Sequence, residues 1–84
     1  MANHTLRSAT WLRNGWVRLG YDGHRCHVSP RGLVTTGQAA RLLRVSDMTI
    51  YRMVEAGALK VARRDPVARF RVSDLSPHRK REAA

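Results

Sequence analysis

The sequence is poor in the residues that build disulfide frameworks and membrane spans. It has one cysteine, Cys26, so no internal disulfide can form, which is typical of a reducing compartment. No apolar run approaches the ~18 residues of a membrane span, and the N-terminus lacks the apolar stretch of a secretory signal peptide. We therefore expect a soluble cytoplasmic protein that does not contact the membrane.

Patterns that carry enzyme chemistry are also missing. The 84 residues suffice for one small domain but leave little chain for a deep substrate cleft. There is no Ser-His-Asp set and no pair of catalytic carboxylates, and the N-terminal glycines are too scattered to cradle a phosphate. His24, Cys26 and His27, with His4 upstream, lack the paired spacing of a structural zinc site. We predict a protein that is not an enzyme, with no metal, no cofactor and no small-molecule substrate.

Acidic residues are scarce, and arginine dominates the charged positions. Six Asp and Glu face sixteen Lys and Arg, which gives a formal net charge of +10, and only Lys60 and Lys80 are lysine. Such an excess usually serves a polyanionic partner, and arginine makes bidentate contacts with phosphate and guanine. The charge favours nucleic acid over an acidic membrane surface. Codon bias in a GC-rich genome is an alternative cause of the arginine content.

The pattern of the chain changes at Pro30-Arg31-Gly32 and again after residue 76, which divides the chain into three parts. Residues 1–32 form an N-terminal extension without helical periodicity, in which Asp22-Gly23 predicts a turn between two strands. An isolated hairpin is marginal in water, so it must pack on the rest of the protein or on another copy, and disorder is the alternative. Residues 33–76 are strongly patterned, and residues 77–84 form a basic tail.

Two short helices are predicted at the start of the patterned part. The first begins after an N-cap hydroxyl at Thr35 or Thr36, with Gln38 in a capping box, and runs to about Arg44. Its apolar stripe comprises Ala39, Ala40, Leu42 and Leu43. The second begins after Ser46 and ends before Gly57, with a stripe of Ile50, Met53 and Val54. The short connection indicates a helix-turn-helix.

A β-hairpin and a third helix are predicted after Gly57. Extended arms at residues 59–62 and 67–72 flank an Asp65-Pro66 turn, and their arginines make the hairpin basic. Ser73 is the expected N-cap of a short final helix that has Pro77 in its first turns.

This order of parts resembles the excisionase-type helix-turn-helix domains, whose fold is shared with MerR-like regulators. The resemblance rests on the runs Leu33–Leu43, Val45-Ser46, Thr49–Val54 and Arg71–Leu75, with Gly57 and Leu59 between them. It implies a small α+β fold, a winged helix-turn-helix over residues 33–76 preceded by an N-terminal extension. It also implies that the second helix enters the major groove of double-stranded DNA and that the hairpin wing contacts an adjacent minor groove.

The resemblance assigns candidate DNA-binding residues to both elements. On the recognition helix they are Asp47, Met48, Thr49, Tyr51, Arg52 and Glu55, and on the wing Arg63, Arg64, Arg69 and Arg71. Arg52 lies two positions after Ile50, so it projects away from the buried stripe and can pair with a guanine edge. A phosphate contact or a solvated side chain is the alternative. For Asp47 and Glu55, helix capping and an exposed helix face are the simpler interpretations.

The function implied is that of an excisionase, or recombination directionality factor. Such a factor binds cooperatively beside a phage attachment site in a bacterial host, bends the DNA and assists an integrase, which is a tyrosine or serine recombinase. Self-association on DNA is part of this interpretation. A small transcriptional regulator is one alternative, and a protein-interaction module (an antirepressor or an integrase adaptor) is another. RNA binding is less favoured because no stacking aromatic platform is visible.

Overall fold

The computed structural model describes residues 5–64 and 66–79. The strands described are β1 (Ser8–Trp11), β2 (Val17–Tyr21), β3 (His24–Val28), β4 (Leu33–Thr35) and β5 (Arg69–Arg71). The helices described are α1 (Thr36–Leu43), α2 (Asp47–Glu55) and α3 (Val72–Leu75), with a 3₁₀ turn over Ser76–His78. None of the described helices is long and apolar enough to cross a membrane. His4, Asp65 and the tail from Lys80 onward, which carried part of the sequence predictions, lie outside the described residues.

Residues before the helix-turn-helix form a three-stranded antiparallel sheet in the order β1-β2-β3. The β2–β3 hairpin turns at Asp22-Gly23, where Gly23 has a φ of 80° that favours glycine. β1, which the sequence analysis did not predict, pairs along the other edge of β2. Val17 and Leu19 of β2 are fully buried and belong to the same apolar core as α1 and α2.

Polar contacts tie this sheet to α1. The indole Nε1 of Trp11 donates to the carbonyl of Leu42 at 3.0 Å. The Arg41 guanidinium donates to the carbonyls of Leu6 and Arg7, at 3.1 Å and 2.8 Å. The side-chain amide of Gln38 donates to the Tyr21 hydroxyl at 2.6 Å. The N-terminal sheet is therefore fixed along the length of α1 by hydrogen bonds as well as by burial.

Helix α1 has the capping box predicted from the sequence. Thr35 is the N-cap: its hydroxyl accepts from the Gln38 amide at 3.2 Å, and the Gln38 side chain accepts from the Thr35 amide at 2.9 Å. All four residues of the predicted stripe are buried. The helix ends at Leu43, one residue earlier than predicted, because Arg44 adopts the left-handed conformation with a φ of 58°.

Helix α2 likewise follows its predicted signals. The Ser46 hydroxyl caps it by accepting from the Thr49 amide at 3.1 Å. Ile50 is fully buried, whereas Met53 and Val54 are half-buried against the core. The chain leaves the helix through Gly57, whose φ is 78°.

The wing differs from the predicted hairpin. β5 pairs along one edge with β4, which places Phe70 opposite Val34 in the core, and its Arg69 also exchanges backbone hydrogen bonds with Ala62 and Arg63 of the first arm. The first arm keeps one isolated bridge, between Arg63 and Arg69. The two arms therefore meet as predicted only near this bridge, and the second arm also pairs with β4 and buries Phe70, a non-local contact that the local turn signal cannot indicate.

The third helix also begins differently from the prediction. It starts at Val72, which was expected in the second arm, and Ser73 does not cap it. The loop before β4 takes over the capping function, because the Val72 amide donates to the Gly32 carbonyl at 3.0 Å and the Ser73 amide to Pro30 at 2.9 Å. These bonds satisfy amides that the first turn of a helix leaves unpaired. Pro77 lies in the 3₁₀ turn rather than in an α-helix.

Candidate nucleic-acid interface

The solvent face of α2 is a continuous surface opposite its buried stripe. Residues two positions apart in the sequence are separated by about 200° around an α-helix. Because Ile50 is buried, Met48 and Arg52 therefore point outward. Met48 lies three and four residues before Tyr51 and Arg52, and Glu55 lies four and three residues after them. All four are exposed, Met48 at 59% and Tyr51 at 50%. We call these four residues the α2 face. It combines an apolar side chain, an aromatic ring, a cation and an anion within two helical turns.

The other two predicted positions on α2 lie at its N-terminal end. Asp47 is exposed in the first turn, where a carboxylate interacts favourably with the helix dipole. Thr49 is half-buried, its amide is held by the Ser46 cap, and its hydroxyl lies 3.1 Å from the Ser46 hydroxyl. Thr49 therefore has a structural role that the sequence analysis did not assign to it.

The predicted wing arginines come from two segments that meet at the Arg63–Arg69 bridge. Directly bridged residues carry their side chains on the same face, and like charges so placed are destabilising unless an anion joins them. Both arginines line a shallow hollow with Leu33 and Pro66. Neither forms an ion pair with a described residue. The arginine pair is therefore better suited to binding a phosphate than to stabilising the fold without a ligand.

Arg64 and Arg71 lie beside this pair. Arg64 is exposed next to Arg63. Arg71 is exposed on β5, on the same side as Arg69 because the buried Phe70 separates them. Its register partner is Leu33, whereas that of Arg69 is Thr35, so Arg69 lies nearer to the start of α1.

A groove joins α2, the wing and the beginning of α1. It is lined by Thr35, Thr36, Gly37, Tyr51, Val67 and Ala68. The first helical amides of α1 have no intrahelical acceptor, and a Cβ at Gly37 would meet nothing within 4 Å, so a ligand oxygen can approach the backbone there. Val67 is 49% exposed although apolar. The structure thus brings the predicted position Tyr51 together with Val67 and Ala68 of the wing, which were not among the predicted site residues.

Sequence reasoning missed the α1 and Val67 contributions to this groove. Thr36 and Gly37 were noted only as parts of a helix start, and Val67 only as part of a hairpin arm. The available signal was the pair of small residues, Thr36 and Gly37, in the first turn of α1, because anions bind at the N-termini of helices.

The histidines and the cysteine of the N-terminal sheet, His24, Cys26 and His27, lie on β3. Within residues 5–64 and 66–79 there is no group of three His, Cys, Asp or Glu side chains that could hold a metal ion. The His24 ring stacks on Tyr21 at a centroid distance of 5.0 Å, and Cys26 is an exposed free thiol on β3.

Comparison with known protein families agrees with this geometry. The family described as "Helix-turn-helix domain" matches residues 33–76, which is more than half of the chain. The chain therefore belongs to the helix-turn-helix domain family, and this membership supports DNA binding. No curated protein and no solved structure matches the chain. Strands β1 to β3 lie before the matched region.

Proposed function

We propose that the protein binds double-stranded DNA in a sequence-specific manner, with the α2 face in the major groove and the wing arginines on an adjacent minor groove. The observation that carries this proposal is the groove of the helix-turn-helix fold, in which Tyr51 of the α2 face meets Val67 and Ala68 of the wing and the start of α1. An α-helix with its side chains is about 10–12 Å in diameter and fits the major groove, which is ~12 Å wide.

Each side chain of the interface has a specific task in this proposal. Arg52 contacts a guanine edge through O6 and N7, and Met48 contacts a thymine methyl group. Tyr51 stands at the groove, where its hydroxyl and the first amides of α1 donate to a phosphate. Arg63 and Arg69 enter a narrow minor groove, where the negative potential is strongest.

The biological role that we propose is that of an excisionase. Its support is the resemblance of residues 33–75 to excisionase-type domains, together with a DNA-binding surface of modest size that gains occupancy when several copies lie side by side. The partners are then double-stranded DNA, further copies of the protein on that DNA, and an integrase of the tyrosine or serine recombinase class. A small transcriptional regulator would use the same surface.

Substitution of Arg52 tests the base-reading role of α2. The target duplex is first selected from a random-sequence library, and affinities are then measured for the wild type, Arg52→Ala and the control Arg31→Ala. Arg31 is also an exposed arginine, but it lies in the loop before β4. We expect Arg52→Ala to lose ~1–3 kcal/mol of binding free energy and to relax the preference at one base pair, since a bidentate contact discriminates by about that amount. An Arg52→Ala protein that binds like Arg31→Ala would contradict the role.

A recombination assay tests the excisionase role. The protein is added to its integrase and a DNA substrate that carries the recombined attachment sites, and the excised product is quantified. Excision that depends on the protein and is lost with Arg52→Ala supports the proposal. Excision that proceeds equally without the protein, together with a change in transcription from the bound site, favours the regulator instead.

A further inference from the structure

The N-terminal sheet has a second face that neither the core nor the helix-turn-helix uses. Val17 and Leu19 point into the core, so the alternation along β2 turns Arg18 and Gly20 to the opposite side. The register places Thr10 and His27 on either side of Arg18, and Ser8 and Arg25 on either side of Gly20. We call these six residues the outer face of the sheet.

The outer face is cationic. It has two arginines and a histidine but no carboxylate and no large apolar side chain. The Ser8 hydroxyl packs over Gly20, where a Cβ would lie only 2.4 Å from its oxygen, and Ser8, Arg25 and His27 line an open hollow on this face. Ser8, Thr10, Arg25 and His27 are exposed, and Arg18 is half-buried.

No nearby acid neutralises these arginines. Asp22 is the one acidic residue of the N-terminal extension, and both of its oxygens accept from the Arg7 guanidinium, at 2.8 Å and 2.9 Å. The hydrogen bonds to Asp22 raise the pKa of Arg7 above its usual value. Arg18 and Arg25 therefore have no ion-pair partner among the described residues.

An exposed tryptophan stands at the rim of the outer face. Trp16 immediately precedes β2, is 42% exposed, and lines a hollow with Arg13, Asn14 and His27. Tryptophan is enriched at interfaces because its indole combines a large apolar ring with an N–H donor. The rim adds an apolar contact and further donors to the cationic face.

We propose that the outer face of the N-terminal sheet is a second DNA-binding surface, which contacts the phosphate backbone of the same duplex beyond the segment bound by α2. This inference rests on the proposed function, in which α2 holds a duplex. Arginine, serine and threonine are side chains that donate to phosphate oxygens, and three strands at a spacing of ~4.8 Å span about 10 Å, close to the width of a major groove. Single-stranded nucleic acid is a poorer fit because the centre of the face has no aromatic platform.

A second surface of this kind strengthens a small helix-turn-helix protein through effective concentration. Once α2 is bound, the flanking phosphates are presented to the outer face at high local concentration, so even weak contacts increase the overall affinity. The extra contacts require a duplex longer than the segment under α2. Affinity should therefore depend on duplex length.

Matched arginine substitutions on two duplex lengths test the inference. The wild type, Arg25→Gln and the control Arg31→Gln are titrated with the selected site in a duplex of about 12 base pairs, or ~40 Å, and in one of about 30 base pairs. The short duplex extends only ~20 Å to either side of the segment under α2, about half of the largest extent of the protein, which is 38 Å. Both arginines are exposed, so neither variant should lose thermal stability, which circular dichroism checks.

On the long duplex at ~0.1 M salt, we expect Arg25→Gln to bind roughly 5–10-fold more weakly than Arg31→Gln. We also expect the negative slope of log K against log salt to become less steep by about 0.9, the value for one lost phosphate contact. On the short duplex the two variants should bind equally. Wild-type amide resonances of β2 and β3 should shift only with the long duplex.

Three results would overturn the inference. Equal binding of Arg25→Gln and Arg31→Gln to the long duplex, with the wild type binding well, would exclude the outer face and leave the α2 interface standing. A defect of equal size on both duplexes, with two short duplexes bound per protein, would show that the face holds a second duplex instead of flanking DNA. A wild type that binds neither duplex would end both this inference and the proposed function.

Discussion

Leu19 provides the strongest test of whether the N-terminal sheet and the helix-turn-helix form one core. Its side chain is 1% exposed, and it belongs to the same cluster of buried residues as Ile50 of α2 and Phe70 of β5. Substitution by alanine removes a buried leucine side chain and leaves a cavity, which costs about 2–5 kcal/mol in well-packed cores. We expect a loss of about 3 kcal/mol in the free energy of unfolding of Leu19→Ala.

This loss is large for a protein of this size. At roughly 0.05–0.15 kcal/mol per residue, 84 residues give a total stability of about 4–12 kcal/mol. A loss of about 3 kcal/mol corresponds to a decrease of roughly 12–24 °C in the melting temperature for a domain of this length. The matched control is Cys26→Ala, because Cys26 is the register partner of Leu19 on β3 but is exposed. That variant should stay within about 0.5 kcal/mol of the wild type.

Urea unfolding followed by far-ultraviolet circular dichroism and by tryptophan fluorescence measures the effect. The two tryptophans lie in the N-terminal sheet and its turn, whereas the helices dominate the circular dichroism signal. If the core is shared, both probes give the same midpoint in the wild type and shift together in Leu19→Ala. Two separate transitions, with Leu19→Ala moving the fluorescence midpoint alone, would refute the shared core.

Three further substitutions test local features of the fold by chemical denaturation. Thr35→Ala should cost ~1 kcal/mol of stability because it removes the N-cap of α1, whereas the control Thr36→Ala should cost clearly less. A larger loss of stability in Thr36→Ala than in Thr35→Ala would contradict the observed cap. Gly57→Ala should cost about 1–2 kcal/mol of stability because its φ of 78° strains the backbone of any residue with a Cβ. The new Cβ would meet no neighbour within 4 Å, so no steric clash adds to this cost. An unchanged stability would argue against this conformation. Trp11→Phe should cost about 1–3 kcal/mol by leaving the Leu42 carbonyl without its indole donor, and a cost near zero would show that water replaces that donor.

The helices could be predicted from the sequence because their determinants are local. The cap at Thr35, its partner Gln38 and the left-handed residue Gly57 each act within a few positions of the helix ends that they define. The apolar stripes follow from the helical period alone. The exposed positions of the α2 face then follow from the buried position of Ile50, without further information.

The wing and the N-terminal sheet could not be predicted in the same way. Pairing of β5 with β4 joins segments more than thirty residues apart, so the Asp65-Pro66 turn signal could indicate the contact between the two arms but not the pairing with β4 that buries Phe70. β1 is a four-residue strand with no turn motif of the β2–β3 type before it, and it becomes visible only when it pairs with β2. The groove at Tyr51 likewise requires three distant segments to meet.

Specific binding to double-stranded DNA is the central claim, and a salt series on two duplexes tests it most directly. The selected duplex and a shuffled duplex of the same length and composition are titrated with the wild type between ~50 mM and ~200 mM salt. We expect the selected duplex to bind at least ~10³-fold more tightly near physiological salt, with an affinity for both that falls steeply as salt rises. Equal affinity for the two duplexes would reduce the protein to a non-specific polycation, and no binding near ~150 mM salt would contradict the claim altogether.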